Sequence, residues 1–350
     1  MRAMILAAGY GTRLWPLTID RAKPAIPFMG RPLVGYVAEY LSRYGFREVA
    51  VNLHHRPESV RAALGDGSRF GVRLHYVEEP VILGTSGAID NARSLLEGGT
   101  FVVVNGKIAT DIDLSAALET HRETKALATL VLRPNPARER YSMVEVRGPL
   151  VTGFGGFPGP APGGGPAAAL VAAGDAGDAD AGDGGDAEAP LMFTGIQILE
   201  PRVFDLIPRG VFSHSVTDVY LPAIARGERI AAHVAGGYWY ELSTARRYLE
   251  TSVELLGREG REGREFVAGE GCEVDAGAGV SESVLWEDVT VAAGARVRRA
   301  VLGAGVRVGP GEVFEEVAVV RAELVEGVER PPKGLSGEVR GANFVAPLPR

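Results

Sequence analysis

The chain's 350 residues suffice for two domains, and its composition, 46% hydrophobic with mean hydropathy near zero, is that of an ordinary globular protein. The net charge of -7 comes from residues 155–189, which hold six acids and no base; elsewhere 37 Lys and Arg face 38 acids (44 less six), so no basic block points to nucleic acid. One cysteine, Cys272, excludes an intrachain disulfide, no stretch has the ~18 apolar residues of a membrane span, and the short run Ala3 to Ala8 is unlike a signal peptide, so the expected location is the cytoplasm.

In chain order, Ala3–Ala8 reads as a buried strand and Pro32–Tyr44 as a helix with Leu33, Val37, Tyr40 and Leu41 on one face. Strands follow at Glu48–Leu53, Val72–Val77, Phe101–Asn105 and Leu127–Leu132, with helices between them at Pro57–Leu64, Ser86–Leu96 and Leu114–Glu123. This alternation predicts an α/β fold, a Rossmann-like, mostly parallel sheet with helices on both faces. Residues 155–189, with eleven Gly, eleven Ala and four Pro, have almost nothing to bury and read as a low-complexity insertion. Order resumes with a strand at Leu191–Leu199, followed by helices at Ser215–Arg226 and Thr244–Leu256 around a strand at Arg229–Val234.

From about Phe266 the texture changes. Val274, Val280, Leu285, Val291, Val297, Leu302 and Val308 recur at steps of roughly six residues. That period predicts a short left-handed β-helix of hexapeptide repeats over 266–322, a candidate surface for homo-oligomers; the alternative is an irregular antiparallel segment. Hexapeptide coils also serve acyltransferases, which need a basic nitrogen at the coil interface, but all six histidines precede residue 266. The tail, 323–350, is rich in Pro and Gly after Glu329 and is expected to be poorly ordered.

The densest chemical signal is Leu6–Val34, LAAGYGTRLWPLTIDRAKPAIPFMGRPLV. Ala7, Ala8, Gly9 and Gly11 follow a buried strand, so the backbone can approach a phosphate closely and offer it a nest of amides. Arg13 supplies a fixed charge suited to phosphate, and Lys23, between Ala22 and Pro24, a second cation. A dinucleotide fingerprint is excluded, because Leu14 stands where its third glycine belongs and Asn52 where its acid belongs; the Gly-Lys-Ser/Thr of a P-loop is absent.

In these residues the chain resembles the sugar-1-phosphate nucleotidylyltransferases, whose signature LAAG-x-GTRL-x-PLT…PKP it keeps except for Ala22 in place of the first proline of PKP. The nearest branches are the mannose-1-phosphate guanylyltransferases and the glucose-1-phosphate thymidylyl- and uridylyltransferases. Leu83-Gly84-Thr85-Ser86-Gly87, Phe193-Thr194-Gly195-Ile196 and Tyr238–Tyr248 extend the likeness over 1–256, the expected nucleotidyltransferase domain. The resemblance implies in-line attack of a sugar 1-phosphate on the α-phosphate of an NTP, assisted by Mg2+. It assigns catalysis to Arg13 and Lys23, to which this chain's own residues at the altered metal positions add Lys107 and Glu241 as candidates, and nucleotide contacts to Leu6, Ala8, Gly9, Gly11, Thr12, Arg13, Gly84, Thr85 and Asn105. Thr194 and Gly195 are the expected sugar contacts. NTP and sugar 1-phosphate are the implied partners, without nucleic acid or membrane, and the hexapeptide tail leans toward guanine and mannose.

Three positions depart from the family pattern. Lys107 follows Asn105-Gly106 where the family has a magnesium-binding Asp, Glu241 replaces a second metal Asp, and Phe154-Gly155-Gly156-Phe157 lacks the sugar-binding Glu-Lys-Pro. A charged lysine cannot ligate magnesium. The paired change predicts that Lys107 and Glu241 face each other, Glu241 remaining the candidate metal ligand. A catalytically weak or inactive NDP-sugar-binding regulator is the alternative function. Among smaller features, Asp111 and Asp113 read as a turn and a helix N-cap, His54-His55 as a surface turn, His121 as part of a solvated face, Trp15 as a nucleotide platform or a loop anchor, and Trp286 as core or interface.

Overall fold

A computed structural model describes residues 1–139, 141–155, 189–258 and 265–349. Most of the expected insertion, 155–189, lies outside the described residues. In chain order the elements are β1 (Arg2–Leu6), α1 (Leu33–Arg43), β2 (Glu48–Leu53), α2 (Pro57–Leu64), β3 (Arg73–Glu78), α3 (Gly84–Asn91), α4 (Arg93–Leu96), β4 (Phe101–Asn105) and β5 (Ile108–Thr110). They continue with α5 (Leu114–Thr124), β6 (Ala128–Pro134), β7 (Met143–Arg147), β8 (Leu150–Phe154), β9 (Leu191–Leu199), α6 (Leu221–Ala225), β10 (Ile230–Val234), β11 (Trp239–Glu241) and α7 (Ala245–Arg258). The helix expected over Ser86–Leu96 is two, broken at Ala92, and the one expected over Ser215–Arg226 opens as a wider π-type turn at Ser215–Tyr220.

The chain divides into two compact units. The first holds Met1–Met4, Leu83–Val104 and Ile112–Gly237, with strand order β4-β9-β6-β10-β8-β7. β10 runs parallel to β6, but β9 is antiparallel to both β4 and β6, and β7 and β8 form an antiparallel hairpin. The sheet is therefore mixed. The hairpin escaped sequence reading because its exposed residues, Glu145, Val146 and Arg147, blur the alternation. His121, expected on a solvated face, is buried: its ring meets Thr129 Oγ1 at 2.8 Å and Glu200 Oε1 at 3.0 Å. Asp113 caps α5 by accepting from the Ser115 N–H.

The second unit holds Ile5–Ile82, Asn105–Asp111 and Tyr238–Arg350. β3, β2 and the end of β1 lie side by side, β2 and β3 in parallel, and β5 pairs antiparallel with β11. After α7 the chain winds into a β-helix whose parallel strands stack with a step of 17 residues: Val280 beside Val297 beside Phe314, and Val274 beside Val291 beside Val308. Two roughly six-residue steps and one of five close each coil, so every third aliphatic lands above the last; the columns are buried except at Val274 in the first coil, which is exposed. At one corner of each coil a non-glycine residue takes positive φ: Glu282, Arg299 and Glu316. Arg299 bridges the two glutamates above and below it, each at 3.3 Å, which offsets part of the backbone cost.

The tail, expected to be poorly ordered, holds the strands Glu338–Arg340 and Asn343–Pro347. The second pairs antiparallel with Val317–Arg321 and closes the open edge of the last coil. Its Phe344 packs edge-on against Trp15, with ring centroids 5.4 Å apart, and Leu335 N–H donates to Trp15 O at 3.1 Å. Trp15 is thus a loop anchor. Trp286 is core, its Nε1 donating to Tyr248 Oη at 3.0 Å. Phe344→Ala removes one wall of this cluster and is expected to cost about 3 kcal/mol of stability; thermal or urea unfolding against the parent protein checks it.

Candidate functional site

The turn after β1 is the centre of the site, and its start is tied down. Ala7 N–H donates to Asn52 Oδ1 at 2.6 Å, and Asn52 Nδ2 to Glu79 Oε1 at 2.7 Å. Asn52 and Glu79 are both buried. His54 Nδ1 lies 2.7 Å from Glu79 O, and its Nε2 lies 3.2 Å from Tyr10 Oη. This network escaped sequence reasoning beyond the exclusion of an acid at position 52. Its trace was one polar residue, Asn52, inside the apolar run 49–53. On the other side, Leu6 O accepts from Gly106 N–H at 2.9 Å. A Cβ at Gly106 would sit 2.9 Å from that same oxygen, so only glycine lets the two backbones close up.

Beyond the tether, Gly9 and Tyr10 are exposed and Gly11 takes φ 67°. A Cβ at Gly11 would stand 2.8 Å from Lys23 Cβ, so the turn packs on the lysine stem. Thr18 Oγ1 donates to Gly11 O at 3.3 Å. Arg13 projects from the short helical turn Thr12–Leu14 and is exposed. Lys23 opens another such turn, Lys23–Ala25, held by Ala22 N–H donating to Ser59 Oγ at 2.9 Å.

Lys107 and Glu241 meet as an ion pair. The antiparallel register that sets Glu241 opposite Ile108 creates it, with Leu242 N–H donating to Lys107 O at 2.8 Å. Burial pushes the Glu241 carboxyl up, but Lys107, Lys23 and Arg13 outweigh it and hold the group below its ordinary range. Lys23 is lowered to about 7, chiefly by burial and next by Lys107; Glu241 opposes the shift and Arg13 adds to it. Three cations and one carboxylate thus share one electrostatic neighbourhood beside the turn. Such an arrangement suits a polyanion, whose charge would relieve the repulsion.

Residues 2–258 match the family described as nucleotidyl transferase, and residues 259–319 the GlmU-like C-terminal hexapeptide family. The chain belongs to the nucleotidyl transferase family. It is 29% identical to a mannose-1-phosphate guanylyltransferase of Mycobacterium tuberculosis, over 89% of this chain and 82% of that protein. It is 34% identical to an N-acetylmuramate alpha-1-phosphate uridylyltransferase of Neisseria meningitidis serogroup B, over 72% of this chain and 97% of that one. In fold it is similar to HddC from Yersinia pseudotuberculosis, solved with GMP-PN, at TM-score 0.56 and 20% identity, covering 73% of this chain and 99% of that one.

The other expected contact residues divide between the two units. Leu6, Ala8, Thr12 and Asn105 belong with the turn in the second unit, whereas Gly84, Thr85, Thr194 and Gly195 belong to the first. Gly84 and Gly87 open α3 against an adjacent loop: a Cβ on Gly84 would stand 2.4 Å from Ser213 O, and one on Gly87 2.5 Å from Val211 O. Ser213 O accepts from Ser86 N–H, and Ser215 N–H donates to Thr85 Oγ1 at 2.7 Å. Ser213 and Ser215 therefore hold the motif, a role with no mark in the sequence. Thr194 is buried, its hydroxyl donating to Val131 O at 2.7 Å, and Gly195 takes φ 82° at a break in strand register.

The titration of Lys23 has a direct consequence. In the free protein its charge is lost as pH rises through about 7. A bound triphosphate favours the ammonium and raises its pKa, so binding takes up a proton above pH 7. Affinity for a non-hydrolysable triphosphate should therefore fall as pH rises from 7 to 9, approaching tenfold per unit for this one group. Calorimetry should show that slope in the parent protein and its loss in Lys23→Arg, whose guanidinium stays charged. A Gly106→Ala variant should lose at least ~1 kcal/mol of stability and weaken nucleotide binding, read by thermal unfolding and the same titration.

Proposed function

We propose that this protein joins a nucleoside triphosphate to a sugar 1-phosphate, releasing pyrophosphate and an NDP-sugar. A phosphate oxygen of the sugar attacks the α-phosphorus, and the bond from that phosphorus to the β-bridging oxygen breaks. Such displacement needs little covalent help from a protein; it needs positioning and charge neutralisation. The observation that carries the reading is the convergence of Arg13, Lys23 and Lys107 on a tethered turn with exposed backbone. In this reading Gly9, Gly11 and Thr12 cradle the phosphates, while Arg13 neutralises the departing pyrophosphate. Lys23 sits by the α-phosphate.

GDP-mannose is the product we favour. Support comes from the hexapeptide segment and from the Mycobacterium tuberculosis relative, whose likeness spans both segments. The binding-only alternative gains nothing from the relatives, which are named as transferases. Pyrophosphate release from a panel of four NTPs and several sugar 1-phosphates tests the proposal. Turnover should be highest with GTP and mannose 1-phosphate, and Arg13→Ala should lower kcat/KM by ~100-fold with little change in the unfolding midpoint. No release from any pair would refute the reaction; release with another pair alone would refute only the choice of product.

A further inference from the structure

The family resemblance implies a divalent cation, and the residues of this chain do not fit one. The carboxylate at the turn, Glu241, already has an oxygen against Lys107 Nζ. The nearest acid along β5, Asp111, accepts from Tyr238 N–H at 2.5 Å. Among the described residues no group of three His, Cys, Asp or Glu side chains could hold a metal ion. Arg13 and Lys23 add two positive charges that act on Glu241. A dication entering there would meet three cations and one engaged carboxylate, whereas hard divalent ions need several oxygen donors.

We propose that Lys107 supplies from the protein the positive charge that a resident divalent cation would bring to a phosphate site, and that the chain holds no metal of its own. A carboxylate carrying a dication has one net positive charge; an ammonium at the same position has the same. The exchange conserves the charge offered to the substrate and dispenses with the ion. The backbone makes the ammonium a fixed feature. Gly106 pins the segment to Leu6 O, the register of β5 and β11 places Glu241 opposite, and Leu242 N–H holds Lys107 O. An ammonium has three donors, so Lys107 can keep Glu241 and still donate to a phosphate oxygen. Any divalent ion in the reaction then arrives with the nucleotide. The role in turnover rests on the proposed transferase activity; the absence of a protein-held metal does not.

Mn2+ titrated into the nucleotide-free, full-length protein, with free Mn2+ followed by electron paramagnetic resonance, reads the metal question without turnover. The parent protein should take up none below about 1 mM, while Lys107→Asp should gain one site at least ~10-fold tighter. That gain should vanish when Glu241→Ala is added. One equivalent bound at micromolar Mn2+ by the parent protein would overturn the inference, whether or not Lys107→Asp folds. The second arm is Lys107→Met, titrated with a metal-free triphosphate analogue. Affinity should fall at least ~10-fold, as expected for a lost charge-assisted bond, and unchanged affinity would overturn the charge-supplying role. Because neither arm measures product, a protein that fails to turn over and a protein that binds its own metal give separate results.

Discussion

A turn can offer amides to a ligand only if the backbone before it cannot relax, and in this protein that constraint is met at the end of β1. Ala7 N–H is taken by Asn52, itself held by buried Glu79, and Leu6 O is taken by Gly106 N–H. An unpaired buried amide or carbonyl costs enough that such links are strongly retained. The turn from Gly9 to Gly11 therefore starts from a fixed direction. The bond through Gly106 also sets where Lys107 leaves the backbone, so the turn and the ion pair share one anchor.

The charges at that anchor are mostly of one sign and repel one another. Lys23 loses proton affinity because it is buried and has cationic neighbours, and Glu241 offsets only part of this. Electrostatic preorganisation has this character: like charges held together by the scaffold are relieved when a polyanion arrives. Glu241 limits the repulsion without matching it, one carboxylate against three cations.

The β-helix contributes beyond its own core. Trp286 donates to Tyr248 Oη, and Tyr248 Oη donates in turn to Pro27 O, just past Lys23. Arg21 pairs with Glu287 at 2.6 Å and lies over the Trp286 ring. With Trp15 under Phe344, the segment between Arg13 and Lys23 is braced from both the β-helix and the terminal strand. The two cations thus take their places from a domain far along the chain.

Much of this was legible in the residues. Hydrophobic periods placed α1, β2, α2, β4 and β9 almost to the residue, because each buries one whole face or both. The six-residue step foretold the coil because stacking forces repetition. Small residues followed by Arg13 and Lys23 marked the turn that we propose as the phosphate site, since a nest needs only local chain geometry. Tertiary structure decided what depends on residues distant in sequence. The antiparallel course of β9, the burial of His121, the order of the tail under Trp15 and the clamp from Asn52 to Ala7 each need a partner tens of residues away or more. Lys107 and Glu241 stand between these cases. Their paired departure was visible in the sequence, but their meeting depends on the register of β5 and β11, which only the folded backbone sets.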